Sequence, residues 1–525
     1  MSDVVSSPPN PVVIMLFWGQ VVEDWLDPYN LTIDDMLREI NDGWLFGYID
    51  ALATVGVSTV PVLISRDVTT SQRRTHLPTG ATFWLLPPTQ TWRALRRLVD
   101  NPYAQRVADA AKDRSAPAQL AAAGAYTILP WVSTPIRQLA HIIREEHANV
   151  LLCQDYEYPT FDLCVARSRS LGVPIHAVFQ GSVLQRTPLE RFTRPFAIWG
   201  ASGLIIASSS EADRVKEVYG FPGERISMAP NPIMLDNWPV GDRASARAAL
   251  GISTNAGVVS YHGRIEMAHK GLDILLDAWE QVTAERPDRE LVLLITGTGL
   301  DAKVLRAEIE QRQLPGIDWR DEFVLDREVI QSRLSASDVS VLTSRGEGFA
   351  ATPLEAMACG RPIVATDVRG IPELAPRGEA DGVIRVPLGD AQAVASAIGA
   401  LLDDPERAAS VGSQARKRVE AFSSKALGPA LADALRIGHQ PPGEVDALRG
   451  IYQHRRRGWE AYKKGRGSRI TESAFRGALT TSALRIGRFL GVSDLAQAVA
   501  DAHARLDTHE RELETLRHGR SEQLR

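Results

Sequence analysis

Short apolar runs return along most of this chain, each set off from the next by a segment with helical spacing. A run that is apolar throughout, rather than alternating, suits a strand buried on both faces. Such strands joined by helices pair in parallel, because only a crossover of roughly a dozen or more residues returns the chain to the same end of a sheet. The first series is 12–17, 57–64, 81–86, 150–153, 175–179, 203–207 and 226–229, with helices expected at 34–55, 91–123, 136–146 and on to 171. The second is 258–261, 291–296, 339–342, 363–366 and 383–386, with a further short strand at 322–325 and helices at 271–283, 301–313, 353–358 and 391–402. The irregular, proline-bearing stretch 231–242 reads as the linker between them. The expectation is an α/β protein of two Rossmann-like, doubly wound domains, 1–232 and 240–435, facing a cleft, with a helical extension at 436–525.

Length supports more than one core, since 525 residues exceed what a single core serves. A net charge of −5 argues against a nucleic-acid partner for the whole chain. Three cysteines without metal-ligand spacing fit a reducing compartment. The polar N-terminus has no signal-peptide pattern and no run reaches the length of a membrane span, so the expected location is cytoplasmic, with a peripheral contact at the inner face of the membrane left open.

The chemistry concentrates between Ser344 and Asp367. A strand runs into the loop Ser344-Arg345-Gly346-Glu347-Gly348-Phe349-Ala350, and Thr352-Pro353 opens a short helix. Backbone N–H groups leading to a helix N-terminus suit a phosphate, and Glu347 and Glu355, eight positions apart, are acceptors for sugar hydroxyls. Thr352 and Glu355 also fit a capping box, a purely structural use of the second glutamate. Glu347, flanked by two glycines, is the cleaner ligand contact. Upstream, Arg264 and Lys270 lie just past a strand's carboxyl end, where either clamps phosphate oxygens or stands as a solvated surface cation. Gly297 and Gly299 bracket a strand-to-helix turn that serves ligand approach or turn geometry equally. In the first domain Gly19, Gln20, Asp155 and Gln180 follow strands and are expected at the cleft, on the acceptor side.

Together Gly263-Arg264, Lys270-Gly271, Gly297-x-Gly299, Ser344 to Phe349 and Pro353 to Thr366 resemble the retaining glycosyltransferases of family 4, which have the GT-B fold. Glu347 and Glu355 fall on that family's E-x7-E pattern, and the likeness covers roughly residues 200 to 435. It implies a nucleotide-sugar as donor substrate, no cofactor and no metal. Arg264 and Lys270 would bind the diphosphate. Gly348, Phe349 and Ala350 would offer backbone N–H groups, Glu347 would contact the sugar and Glu355 the ribose. The acceptor would be a glycan, a lipid-linked glycan or a small molecule. Three positions depart from the family pattern: one glycine at Trp18-Gly19-Gln20, Gln180-Gly181 where His-Gly is frequent, and Asn231-Pro232 where Asn-Gly is frequent. A dehydrogenase is a poor reading, because no strand leads into an intact Gly-x-Gly-x-x-Gly with a later acid.

Two features lie beyond the resemblance. The segment Arg455 to Arg469 is basic and aromatic, suited to anionic lipid head groups or to packing on the first domain. Residues 495–516 carry a heptad seam, expected to support a homo-oligomer. From them comes the competing class: a non-catalytic nucleotide-sugar-binding scaffold that self-associates through its C-terminal helix.

Overall fold

The computed structural model describes residues 10–41, 43–100, 115–181 and 188–435. The extension 436–525, with the basic segment and the heptad seam, lies outside the described residues. Two sheets organise the chain. The first holds β1 (Val12–Val21), β2 (Ser58–Ile64), β3 (Gln72–Thr75), β4 (Thr82–Leu86), β5 (Val150–Gln154), β6 (Ile175–Val178), β7 (Gly203–Ile206) and β8 (Ile226–Met228). Their order across the sheet is β3-β4-β2-β1-β5-β6-β7-β8, parallel throughout except for β3 against β4. The second holds β9 (Gly257–His262), β10 (Leu291–Thr296), β11 (Ile317–Arg320), β12 (Val339–Leu342), β13 (Ile363–Thr366) and β14 (Val383–Val386), all parallel, ordered β11-β10-β9-β12-β13-β14.

Counted from β9, the second order is 3-2-1-4-5-6, the doubly wound arrangement. Connections leave β9 toward opposite edges of the sheet, so a crevice opens between the carboxyl ends of β9 and β12. The first sheet, apart from its antiparallel edge strand β3, reverses in the same way between β1 and β5. Each sheet is covered on both faces. Val13, Met15, Leu63 and Leu152 point into one core of the first domain, and Ile14, Leu16, Val62 and Leu151 into the other, as the two-residue period of a strand demands.

The strand expected at 322–325 is instead β11, five residues earlier. Its burial alternates between half-buried and exposed, so it lacks the continuous apolar signature of its neighbours. The expected helix 34–55 is two helices, Ile33–Arg38 and Trp44–Ala53, broken before Gly43, whose φ of 97° only glycine adopts readily. The second unit, expected to run to 435, gives up its last helix. Ser424–Ala434 packs on Trp44–Ala53 of the first domain, where a methyl on Gly428 would stand 2.4 Å from the Ala51 carbonyl oxygen. Leu431, Ala434 and Leu435 complete that domain's core. The chain thus crosses between domains twice, and a parallel bridge between Ile233 and Ser423 pins the two crossings together. Among the described residues no helix is long and apolar enough to cross a membrane.

Just after β1, Asp24 is largely buried and its Oδ1 has no hydrogen-bond partner among the described residues. Burial pushes its carboxyl up to about 6, against the opposing pull of Arg96 and Arg66. The folded protein therefore binds this proton more tightly than the unfolded chain, and the contribution to stability falls as pH rises from about 4 to about 6. Asp24→Asn should match the parent near pH 4 and exceed it at pH 8 by on the order of 2 kcal/mol, read from denaturant or thermal unfolding across that range. An equal difference at both ends would show that Asp24 is not held in its acid form.

Candidate active site

The loops that follow β9 and β12 meet at the crevice the topology creates. They are joined first through the backbone. The Arg345 amide donates to the His269 carbonyl at 2.9 Å, and Thr343 Oγ1 donates to the Lys270 carbonyl at 3.1 Å. Gly271, at φ 62°, sits so close to the second loop that a Cβ would stand 2.0 Å from the Thr343 carbonyl oxygen. The strand-end loops can approach this way only because residue 271 has no side chain.

That approach brings Lys270 to Glu347. The ammonium Nζ donates to Glu347 Oε1 at 2.7 Å, and Ser344 Oγ donates to the same oxygen at 2.6 Å. Both partners are nearly buried, with side chains 13% and 9% exposed, so solvent screens the pair little. Among the described residues Glu347 Oε1 takes both hydrogen bonds and Oε2 takes none. Beside them, burial and then the Lys270 charge push the His269 imidazole below its usual range.

Glu355 does not cap its helix. The helix runs Thr352–Ala358, its N-cap is Ala351, and no side-chain cap forms. Thr352 is inside the first turn, which places Glu355 one position too late for a capping box. Its carboxylate instead pairs with His262 Nε2 at the end of β9. The residue faces the seam between domains, where with Trp44, Asn231 and Trp238 it lines a void of about 20 Å³. His262 was visible in the sequence as the last residue of a strand, but nothing local marks its partner 93 positions away.

Arg264 stands at the same crevice, half exposed and paired with Glu266 at 2.7 Å. Tyr29 of the first domain interacts with it across the cleft. Gly297 and Gly299 serve the turn rather than an open ligand face. A Cβ on Gly297 would stand 2.1 Å from the Gly263 carbonyl oxygen, and one on Gly299 would stand 2.4 Å from that of Ile265. Their absent side chains let the β10 loop lie against the β9 loop that carries Arg264.

The first-domain residues divide. Gly19 and Gln20 fall within β1, which runs past the expected end at 17 and changes register between Leu16 and Val21. Asp155, at φ 56°, is 1% exposed. Its Oδ1 accepts from the Glu157 amide at 3.0 Å and its Oδ2 from the Gln180 amide at 3.3 Å, so the carboxylate braces the two loops against each other. Gln180 exchanges two amide hydrogen bonds with Asn231, both 2.9 Å, and Asn231 Nδ2 also donates to the Phe349 carbonyl at 3.3 Å. Gln180 is thus at the seam, as the sequence indicates, but its amide is engaged. Glycines set the spacing here: a Cβ on Gly348 would stand 2.6 Å from the Gln180 carbonyl carbon, and one on Gly181 would stand 2.8 Å from the Gly348 nitrogen. Further out, Ser209 donates from its amide and its hydroxyl to Glu373 at 2.7 and 2.6 Å, and Arg369 reaches Glu211 at 3.2 Å.

With this geometry in hand, comparison with known proteins places the chain. Residues 89–237 match the family model for Glycosyltransferase Family 4, and residues 256–404 match that for Glycosyl transferases group 1. D-inositol 3-phosphate glycosyltransferase 1 of Catenulispora acidiphila is 31% identical over 284 residues, 51% of this chain and 67% of that protein. A second protein of that organism, D-inositol 3-phosphate glycosyltransferase 2, is 30% identical over 239 residues, 44% of this chain; the chain spans only 55% of its length. Among solved structures, Anabaena Alr3699/HepE in complex with UDP and glucose aligns with a TM-score of 0.57 at 16% identity, covering 81% of this chain and 100% of that one. The two matched models, the first of these relatives and the shared GT-B architecture agree: the chain belongs to glycosyltransferase family 4.

Proposed function

We propose that this protein transfers a sugar from a nucleoside-diphosphate donor to a hydroxyl acceptor, with retention of anomeric configuration and without a metal or other cofactor. The observation that carries the reading is the cluster at the β9–β12 crevice. There one carboxylate, Glu347, is paired with a cation and keeps an oxygen to spare, and a second, Glu355, faces the domain seam. Arg264 and Lys270 are the cations for the departing diphosphate, whose terminal phosphate gains negative charge as the glycosidic bond breaks. The Gly348–Ala350 backbone adds N–H donors. Glu347 Oε2 takes a sugar hydroxyl, and Glu355, held by His262, takes the ribose hydroxyls. The anomeric carbon becomes oxocarbenium-like as in glycoside hydrolysis. Retention follows from front-face attack in which the leaving phosphate oxygen accepts the acceptor's proton, so no protein nucleophile is required. Glycans, lipid-linked glycans and small molecules all fit as acceptors. The relatives' names make D-inositol 3-phosphate the first small molecule to try.

Thermal-shift screening against UDP-, GDP- and ADP-sugars identifies the donor, since a ligand at 100 times its Kd stabilises the folded state by about 2.7 kcal/mol. Proton NMR of the product reads its anomeric form, and an inverted product would overturn the mechanism. Glu355→Ala should keep the fold and weaken nucleoside-diphosphate binding by roughly tenfold or more; full activity in it would sink the assignment. Lys270→Ala strands a buried carboxylate and should cost about 3 kcal/mol of stability as well as turnover. The Lys270→Ala/Glu347→Ala double variant should regain most of that stability and none of the turnover, because the pair's role is in the reaction.

The seam tests a different link. Closed domains exclude water from the reacting centre. Gly348→Ala puts a methyl into the Gln180–Gly181 backbone and should hold the domains apart. The expected result is a fall in kcat of about tenfold or more and a larger share of donor lost to hydrolysis. Unchanged transfer and hydrolysis would remove this contact from the catalytic cycle.

A further inference from the structure

A second cavity lies at the other end of the second sheet. It opens among residues that precede β9, β12 and β13, at the strands' amino ends, and has a volume of about 630 Å³. One wall is the helix Pro405–Val419, which presents Ala408, Ala409, Gly412 and Ser413 along one stripe. Small side chains there leave the space. Gly412 is required for the helix's position, because a Cβ would stand 2.3 Å from the Gly360 carbonyl oxygen.

The lining is strongly cationic. It holds Arg243, Arg289, Arg361 and Arg416 against one acid, Asp338, four positive charges and one negative, for a net +3. Asp338 is already occupied: it pairs with Arg243 and, at 2.8 Å, with the buried Arg247 behind the wall, and accepts from the Val258 amide at 2.9 Å. Arg289 is held by Asp403 at 3.1 Å and the Leu402 carbonyl at 2.9 Å. Arg361 uses Nε on the Cys359 carbonyl and Nη1 on that of Ser337, at 3.1 and 2.9 Å. Arg416 uses Nη1 on the Ala358 carbonyl at 2.9 Å. Among the described residues Arg361 Nη2 and Arg416 Nε and Nη2 make no hydrogen bond. Burial depresses the Arg361 guanidinium, opposed by Cys359 and Asp338 and assisted to a smaller extent by Arg243 and Arg247.

We propose that this pocket binds the phosphate group of a small phosphorylated molecule, at a site separate from the β9–β12 crevice. Unspent guanidinium donors match phosphate oxygens in geometry as well as charge. The volume is that of a small-molecule site, and Val240, Leu401, Leu402 and Pro405 offer apolar wall to an organic body. The same phosphate chemistry is found in the free anion and in a phosphate ester, and the test separates them.

Calorimetric titration of the full chain with inorganic phosphate and with glucose 6-phosphate is the experiment. One saturable site is expected for at least one probe, and it should persist in the Arg264→Ala/Lys270→Ala/Glu347→Ala variant, whose donor-side cations are gone. Arg243→Gln should weaken it about tenfold, the worth of one charge-assisted hydrogen bond. Ser413→Glu sets a carboxylate on an exposed position of the pocket wall; it should leave the ligand-free Tm unchanged and abolish binding. Tighter glucose 6-phosphate assigns the pocket to an ester; equal affinities, or binding of phosphate alone, assign it to the free anion. Binding that survives Ser413→Glu or disappears in the triple variant would overturn the proposal. So would the absence of saturable binding by both probes, or capture of a phosphopeptide with neither small probe bound.

Discussion

The ion pair between Lys270 and Glu347 is where the fold and the site become one problem. Taking two charges out of water costs more than a single hydrogen-bonded contact returns, and well-packed apolar residues would serve stability as well. The pair persists in a place where 13% and 9% of its side chains meet solvent. Its value is in what it holds: Lys270 fixes the end of one strand-end loop, Glu347 the middle of the other, and Ser344 completes the clasp. The carboxylate is thereby oriented with one oxygen bound and one oxygen clear. A free loop glutamate would have to lose that freedom on binding, and the preformed clasp removes the entropic cost in advance.

Glycines decide whether the clasp can form. Gly271 lets the loop after β9 touch the loop after β12, and Gly297 lets the loop after β10 lie on the first. Gly348 and Gly181 let the first domain meet the loop after β12. All of these contacts are backbone to backbone at distances no Cβ tolerates. The family-like glycine pattern is therefore mostly a record of loops packed on loops, and only secondarily of room for a ligand.

Strands buried on both faces were legible, because they are continuous apolar runs: β10, β12 and β13 fall where the sequence places them. Elements whose pattern is half polar were not. β3 and β11 alternate in burial at sheet edges, and their residues read as loop. The site was legible by residue type and position along the chain, since Arg264, Lys270, Glu347 and Glu355 do meet at one crevice. Its pairings were not. Glu355 does not cap its helix but pairs with His262, a partner supplied only by the parallel register of β9 beside β12. Asp155 and Gln180 carried the same signal, polar groups after strands, but a local hydrogen bond from Glu157 and long-range ones to Asn231 and to one another engage them.

One short helix joins the two ends of the second domain. Glu355 sits in the middle of Thr352–Ala358 and faces the crevice; Ala358, a turn later, gives its carbonyl to Arg416 of the cationic cavity. Arg361 follows directly, and its guanidinium closes the same end of the helix through the Cys359 carbonyl. The two ends of one seven-residue helix thus touch the proposed nucleotide site and the proposed phosphate site. Any coupling between those two sites is reciprocal by thermodynamic necessity. Phosphate bound at the far pocket would tighten or loosen the nucleotide by the factor with which the nucleotide alters the phosphate.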